Sequence, residues 1–279
     1  MGGTMRRFGF NINFRNTPEE ILKLGRAVLE SELYHAIEVT YYENMAGVDV
    51  LAYDHAVRQI AQAYRPNVSV HISAFNASEE NSVLRSAILH EFRNCCQYTS
   101  LLGGHEIVMH SGRLRTSLHV PQVPHSSAYM GGDLQRIWAL SVEMLRNCCD
   151  IAKEYGIRLY TENLLDGDLT VRCGTLVQFV NEVGRNNLDI VFDIGHCQQT
   201  GGNVPDEVLA CGKLLRHLHL HDTIGGAQSH LPIGDGEIDY PAFAAALRKI
   251  GYQGIYMLEL RRCTPENLIR SRERLIQCL

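Results

Sequence analysis

The sequence predicts an α/β protein, a closed (β/α)8 TIM barrel forming one domain over residues 1–279, and three observations carry that reading. Short β-rich runs alternate with longer amphipathic runs about eight times over the length. Successive apolar runs end in Glu, Asp or His. No linker or low-complexity stretch breaks the rhythm. A doubly wound open sheet is the second choice, because no Gly-x-Gly-x-x-Gly follows the first run.

The elements follow in order. The first strand is expected over Phe8–Phe14. Thr17-Pro18-Glu19-Glu20 opens a helix, with Thr17 as the cap and Pro18 in the first turn. Strands are expected at Ala36–Tyr41, Asn67–Ala74 and His105–Ser111, with Gly103-Gly104 closing the helix before the last of these. Gly156 ends the next helix, and Ile157–Asn163, Asp189–Ile194 and Leu215–Asp222 follow as strands. Asp239-Tyr240-Pro241 leads into Phe243, Leu247 and Ile250 at helical spacing, and Gly251 stops that helix. Gly254–Leu260 is the eighth strand, and Thr264-Pro265-Glu266 opens the final helix.

Composition narrows the function classes. Hydrophobic residues make up 45% and charged residues 20%, enough for a large core. The net charge of −5 and the lack of a basic tract do not favour a nucleic-acid partner. The nine cysteines are irregularly spaced without Cys-x-x-Cys, as expected of free thiols in a reducing compartment. Cys95-Cys96 and Cys148-Cys149 fall in helical patterns and are read as small apolar packing residues. No apolar run reaches about 18 residues, so no membrane span is expected. Met1-Gly2-Gly3-Thr4-Met5 lacks the apolar stretch of a secretory signal, and Arg6 stands where myristoylation wants Ser or Thr. A cytoplasmic location is therefore expected.

The strand ends carry the chemistry. Glu162 follows Leu159-Tyr160-Thr161, and Asp193 follows Ile190-Val191-Phe192 with His196 three residues on. His219 and His221 close the seventh run, and Glu259 lies between Leu258 and Leu260. In a parallel barrel these ends converge at one mouth. Mixed carboxylate and imidazole groups there suit a divalent cation. Period-two alternation puts Val191 with Asp193 on one face, Met257 with Glu259, and His217, His219 and His221 together. His71 and His110 lie late in earlier strands and point to the same mouth, as ligands or as hydrogen-bonded strand-end histidines. His217 is read as a core histidine. Asp193 has a plainer alternative, an Asx hydrogen bond in a turn. Burying Glu162 or Glu259 unpartnered would be costly, which favours function for both.

The runs His219-Leu220-His221-Asp222, His230-Leu231-Pro232-Ile233-Gly234-Asp235-Gly236 and Tyr256-Met257-Leu258-Glu259 resemble the xylose isomerase-like TIM barrel superfamily, nearest its sugar phosphate isomerases/epimerases. The similarity runs almost end to end and extends to endonuclease IV. It implies one divalent ion, Mn, Zn, Mg or Co, held at Glu162, Asp193, His219 and Glu259. It also implies that Glu162 and Glu259 move a proton at carbon, and that His196 and His230 bind substrate oxygens. His71 and His110 match histidines of a second metal site bridged by Glu162. Gln228 stands where the nuclease has a third-zinc aspartate, and an amide is the weaker ligand.

The expected activity is thus that of a divalent-metal-dependent isomerase or epimerase. Its substrate would be a small sugar, ketose or cyclitol derivative, converted by proton transfer through an enediolate. The alternative is an endonuclease IV-like zinc phosphodiesterase acting on abasic DNA; a third is a metal-binding barrel without catalysis. Arg113 and Arg115, past the fourth strand, could meet a phosphate or simply be solvated. The resemblance further suggests a homodimer.

Overall fold

In the computed structural model, residues 7–13, 15–41, 49–72, 75–114, 133–225 and 228–279 are described. Eight parallel strands close a barrel: β1 (Arg7–Ile12), β2 (Ala36–Thr40), β3 (Asn67–Ile72), β4 (Glu106–Met109), β5 (Arg158–Glu162), β6 (Leu188–Asp193), β7 (Leu215–Leu220) and β10 (Ile255–Leu258). Each pairs with its neighbours in sequence, and β10 closes the ring onto β1. A small antiparallel hairpin, β8 (Asp222–Ile224) and β9 (Gln228–Leu231), stands apart from the barrel.

Helices lie between the strands: α1 (Pro18–Leu24), α2 (Val50–Tyr64), α3 (Ser82–Leu101), α4 (Asp133–Glu154), α5 (Cys173–Val183), α6 (Ile194–Gln199), α7 (Val204–Cys211), α8 (Tyr240–Ile250) and α9 (Pro265–Cys278). Their starts follow the sequence. Thr17 and Glu20 form a reciprocal capping box at α1, and Thr264 with Asn267 does the same at α9. Gly251 ends α8 in the left-handed conformation, φ +67°. Among the described residues no helix is long and apolar enough to cross a membrane.

Alternation along the strands builds two cores. Outward-facing Phe10, Ile37, Val70, Leu159, Phe192 and Leu218 belong to the main apolar layer between barrel and helices. Two separate apolar clusters are built from other positions of the same strands: Ala36, Ile255 and Met257, and Val108, Tyr160 and Val191. Gly9 makes room for Met257, since a Cβ there would come within 2.6 Å of its Cε. All four cysteines of the paired helical positions are buried and free.

Two differences from the sequence reading matter. The expected strand ends Phe14 and Ala74 lie outside the described residues, as does Arg115. The seventh strand stops at Leu220, not Asp222, and Asp222 begins the hairpin instead. The reason is local hydrogen bonding. Asp222 accepts from the backbone N–H of Thr223 (3.0 Å) and Ile238 (3.2 Å) through Oδ1, and from Gly234 (2.8 Å) through Oδ2. It is buried and ties Thr223, Gly234 and Ile238 to one carboxylate. Asp222→Ala strips three amides of a charged acceptor and is expected to cost about 3 kcal/mol. A urea titration checks this; a midpoint equal to that of the parent would disprove the role.

Candidate metal centre

The strand ends bring their acids together. Glu162 is the last residue of β5 and Asp193 the last of β6; His219 is next to last in β7. Glu259 follows β10, where its backbone N–H still donates to Leu220 O (3.0 Å). Asp193 is in register with His219, and His219 with Met257. His219 Nδ1 lies 3.1 Å from Glu162 Oε2, 3.3 Å from Glu259 Oε2 and 4.0 Å from Asp193 Oδ2. Three carboxylates, from the ends of three other strands, therefore surround one imidazole nitrogen.

The remaining candidates are close by. His110 Nε2 is 2.9 Å and His71 Nε2 3.4 Å from Glu162 Oε1, and the two rings approach each other to 3.3 Å. His196 lies on α6; its Nδ1 is 3.0 Å from Asn163 O and 3.6 Å from Asp193 Oδ2. His230, on the hairpin, has Nδ1 2.9 Å from Glu259 O and 3.9 Å from Glu259 Oε2. The mouth is a cavity of about 250 Å³ whose lining includes His71, His110, Glu162, His196, His230 and Glu259. Asp193 makes the Asx hydrogen bond foreseen as its plainer alternative and also faces His219. Its Oδ1 accepts from His196 N (2.6 Å) and caps α6, while Oδ2 faces His219. Asn163 exchanges two hydrogen bonds with the Asp193 backbone, which locks β5 to β6 at the mouth. Arg113 is exposed and lies 3.6 Å from Asp168; the Gln228 side chain falls outside the described residues.

One residue escaped the sequence reading and another was given the wrong face. Glu38, midway along β2, is buried beneath the mouth. Its Oε1 is 2.9 Å from His219 Nε2, its Oε2 is 3.4 Å from His217 Nε2, and Ser69 Oγ donates to it (2.9 Å). A carboxylate flanked by Ile37 and Val39 carried the same signal that singled out Glu259. The other is His221. Because β7 ends two residues earlier than expected, at Leu220, His221 leaves the face of His217 and His219 and lies against Asp193 Oδ1 (3.2 Å).

The electrostatics are those of a cation site. Burial opposes ionisation of Glu162, but the charge of His219, helped by hydrogen bonds from His110, His219 and His71, holds its carboxyl well below the usual range. Burial likewise opposes the charged Asp193, and His196 and His221 overcome it. Burial lowers His219, yet Glu38, Glu259 and Glu162 together raise its affinity for a proton far more. The histidines thus supply positive charge that a dication would otherwise bring. Glu162 Oε1 is buried and faced by two imidazole nitrogens, His110 Nε2 at 2.9 Å and His71 Nε2 at 3.4 Å. The donor atoms of Glu162, Asp193 and His219 lie within 4.8 Å of one another, as do those of His71, His219 and Glu259, and those of His71, His110 and Glu162. Carboxylate and imidazole at this spacing fit a small divalent ion.

A parallel barrel with acids and histidines gathered at the C-terminal strand ends defines a class of mouth-centred (β/α)8 proteins. The chain belongs to the xylose isomerase-like TIM barrel family, whose sequence pattern matches residues 10–278. It is 26% identical over 252 residues to inosose isomerase of Bacillus velezensis, covering 86% of this chain and 84% of that one. It is also 26% identical over 243 residues to D-psicose 3-epimerase of Agrobacterium fabrum, covering 86% and 77%. The crystal structure of the IOLI protein with a binding zinc atom superposes with a TM-score of 0.73 at 21% identity, covering 97% of this chain and 96% of that one. At that identity the likeness is one of fold.

Proposed function

We propose that the chain is a divalent-metal-dependent isomerase or epimerase of a small sugar, ketose or cyclitol derivative, working by proton transfer through an enediolate. One observation carries the reading: Glu162 and Glu259 approach the same nitrogen, His219 Nδ1, from different strands at the open end of the barrel. The relatives named for inosose and psicose support the substrate class. Glu162, Asp193, His219 and Glu259 would hold the ion. When bound, it supplies Lewis-acid polarisation of a carbonyl and its neighbouring hydroxyl.

The chain's own residues do the rest. One glutamate takes the proton from the carbon beside the carbonyl, leaving the electron pair in the enediolate, and the other returns a proton. Delivery to the opposite face of the same carbon inverts it, and delivery to the neighbouring carbon moves the carbonyl. His196 and His230 orient substrate oxygens from the rim. The histidines around Glu162 favour its charged form, which suits it to take the proton.

Turnover in deuterated water tests the mechanism. Glu259 is 14% exposed in its side chain, so the acid form exchanges with solvent before returning its proton. Deuterium is expected at the carbon beside the carbonyl. Unlabelled product from a ketose that is plainly converted would rule out the two-glutamate route. Cleavage of abasic DNA at enzyme-like rates would replace the isomerase reading with the phosphodiesterase one.

His71 and His110 are proposed to hold a second ion, with Glu162 between the two. Protein saturated with zinc or manganese should then carry partial occupancy above one ion per chain. Elemental analysis that stays at one would return both histidines to substrate binding or structure.

A further inference from the structure

We propose that His221, which has no part in the scheme above, is a positioning residue that ties the Asp193 carboxylate to the hairpin carrying His230. The proposal rests on the reading of the mouth as the reaction centre.

His221 is fully buried. The backbone N–H of His230 donates to His221 Nδ1 at 2.9 Å. That nitrogen therefore carries the lone pair, and the ring hydrogen sits on Nε2. Nε2 lies 3.2 Å from Asp193 Oδ1 and 3.4 Å from Oδ2. The other neighbour of Nδ1, Asp222 O at 3.4 Å, is more distant and does not compete. One imidazole thus joins the end of β6 to the hairpin through both of its nitrogens. The His221 carbonyl in turn accepts from Tyr240 Oη (3.0 Å), which anchors the link to α8.

Two further observations show that the ring has a fitted place. A Cβ on Gly195 would fall 1.8 Å from His221 Cε1. Gly195 lies within α6, where any residue adopts the backbone, and the three nearest atoms to such a Cβ all belong to the imidazole. His230 has φ +57°, a left-handed conformation that non-glycine residues rarely take. Its amide bond to His221 and the stacking of the two rings, 4.1 Å between centroids and 23° between planes, hold it there. Asp193, aimed at His219, and His230, beside Glu259, are thereby placed as one unit although they lie on different elements.

Three variants separate the two ends of this link, with zinc alone as the probe. Glutamine reaches the place of Nε2 but offers no acceptor at Nδ1. Asparagine keeps an acceptor near Nδ1 and does not reach Asp193. His221→Asn is expected to weaken zinc binding by about 10–100-fold and to leave amide exchange at His230 slow. His221→Gln should hold zinc affinity within about three-fold and speed His230 exchange about ten-fold. Gly195→Ala, which displaces the ring, should do both. Adding His221→Ala to Gly195→Ala should worsen neither by more than about two-fold, because the two changes break the same link.

Equal losses in the asparagine and glutamine variants, or additive losses in the double variant, would reduce His221 to a packing residue. Unchanged zinc affinity and exchange in Gly195→Ala would overturn the proposal outright. If the asparagine variant does not fold, the other two still decide. A parent protein that binds no zinc would refute the metal reading instead, and His230 exchange would then judge the hairpin link on its own.

Discussion

Glu259→Gln is expected to leave the barrel folded, to lower its divalent-ion content and to abolish turnover. The substitution keeps shape and the backbone bond to Leu220, so little of the fold depends on the lost charge. Chemically it removes a great deal. An amide is a poor ligand for a hard dication and takes no proton from carbon. Loss of a proton-transfer group alone costs about 10²–10⁴-fold, and loss of a candidate ligand adds to that. Activity is therefore expected to fall by about a thousand-fold or more. Elemental analysis after dialysis, a melting curve and rates on a panel of ketoses measure the three effects. Full metal together with full activity would show that Glu259 is neither ligand nor base.

Glu38→Ala is expected to destabilise the metal-free protein and to weaken its ion site. The carboxylate is buried among His219, His217 and His71. Removing it strands buried imidazoles, an effect on the order of 3–5 kcal/mol. Its contact with Nε2 of His219 also orients the ring whose Nδ1 faces the other acids, and losing such support lowers metal affinity about 10–100-fold. Glu38→Gln keeps the volume and should fall between. The pH dependence follows from the shifts. Burial opposes Glu38 ionisation, but His219 and His217 hold its carboxyl well below 4.5, so its contribution is present above that value and fades in acid. His219 is raised above 6.5, so its contribution is complete below that value and fades as the solution becomes alkaline. The stability gap between parent and Glu38→Gln, without metal, should be widest between about pH 4.5 and 6.5. Chemical denaturation across pH measures it, and a gap that keeps growing above neutrality would contradict the pairing.

Much of this was legible beforehand because a barrel turns strand order into geometry. Glu162, Asp193, His219 and Glu259 are far apart in sequence, yet each ends an apolar run, and parallel strands with one C-terminal rim must bring such ends together. Glu38 was missed because it does not end a run. It sits a layer lower, where only the cost of burial marks it. His221 was misplaced because period two was carried one residue past the strand, and what stops the strand is the grip of Asp222 on amides up to sixteen residues away. The hairpin left little trace for the same reason. Its strands are three and four residues long, and its left-handed residue is a histidine. No local preference announces that; it follows from contacts made only after the chain has closed.

Met257 nested against Gly9, with Ala36 and Ile255 beside it, has a further consequence. Among the described residues it fills the barrel interior, in register with His219, and the charged centre opens on the side of the strand ends. For whatever enters from that side, the order of arrival would follow from depth. On the proposed reading, an ion at His219 and Asp193 would go in first and come out last, because a sugar resting on Glu259 and the rim histidines would cover it. Such a protein would work as a loaded tool: the ion exchanges between rounds, and product must clear the mouth before the next molecule can enter.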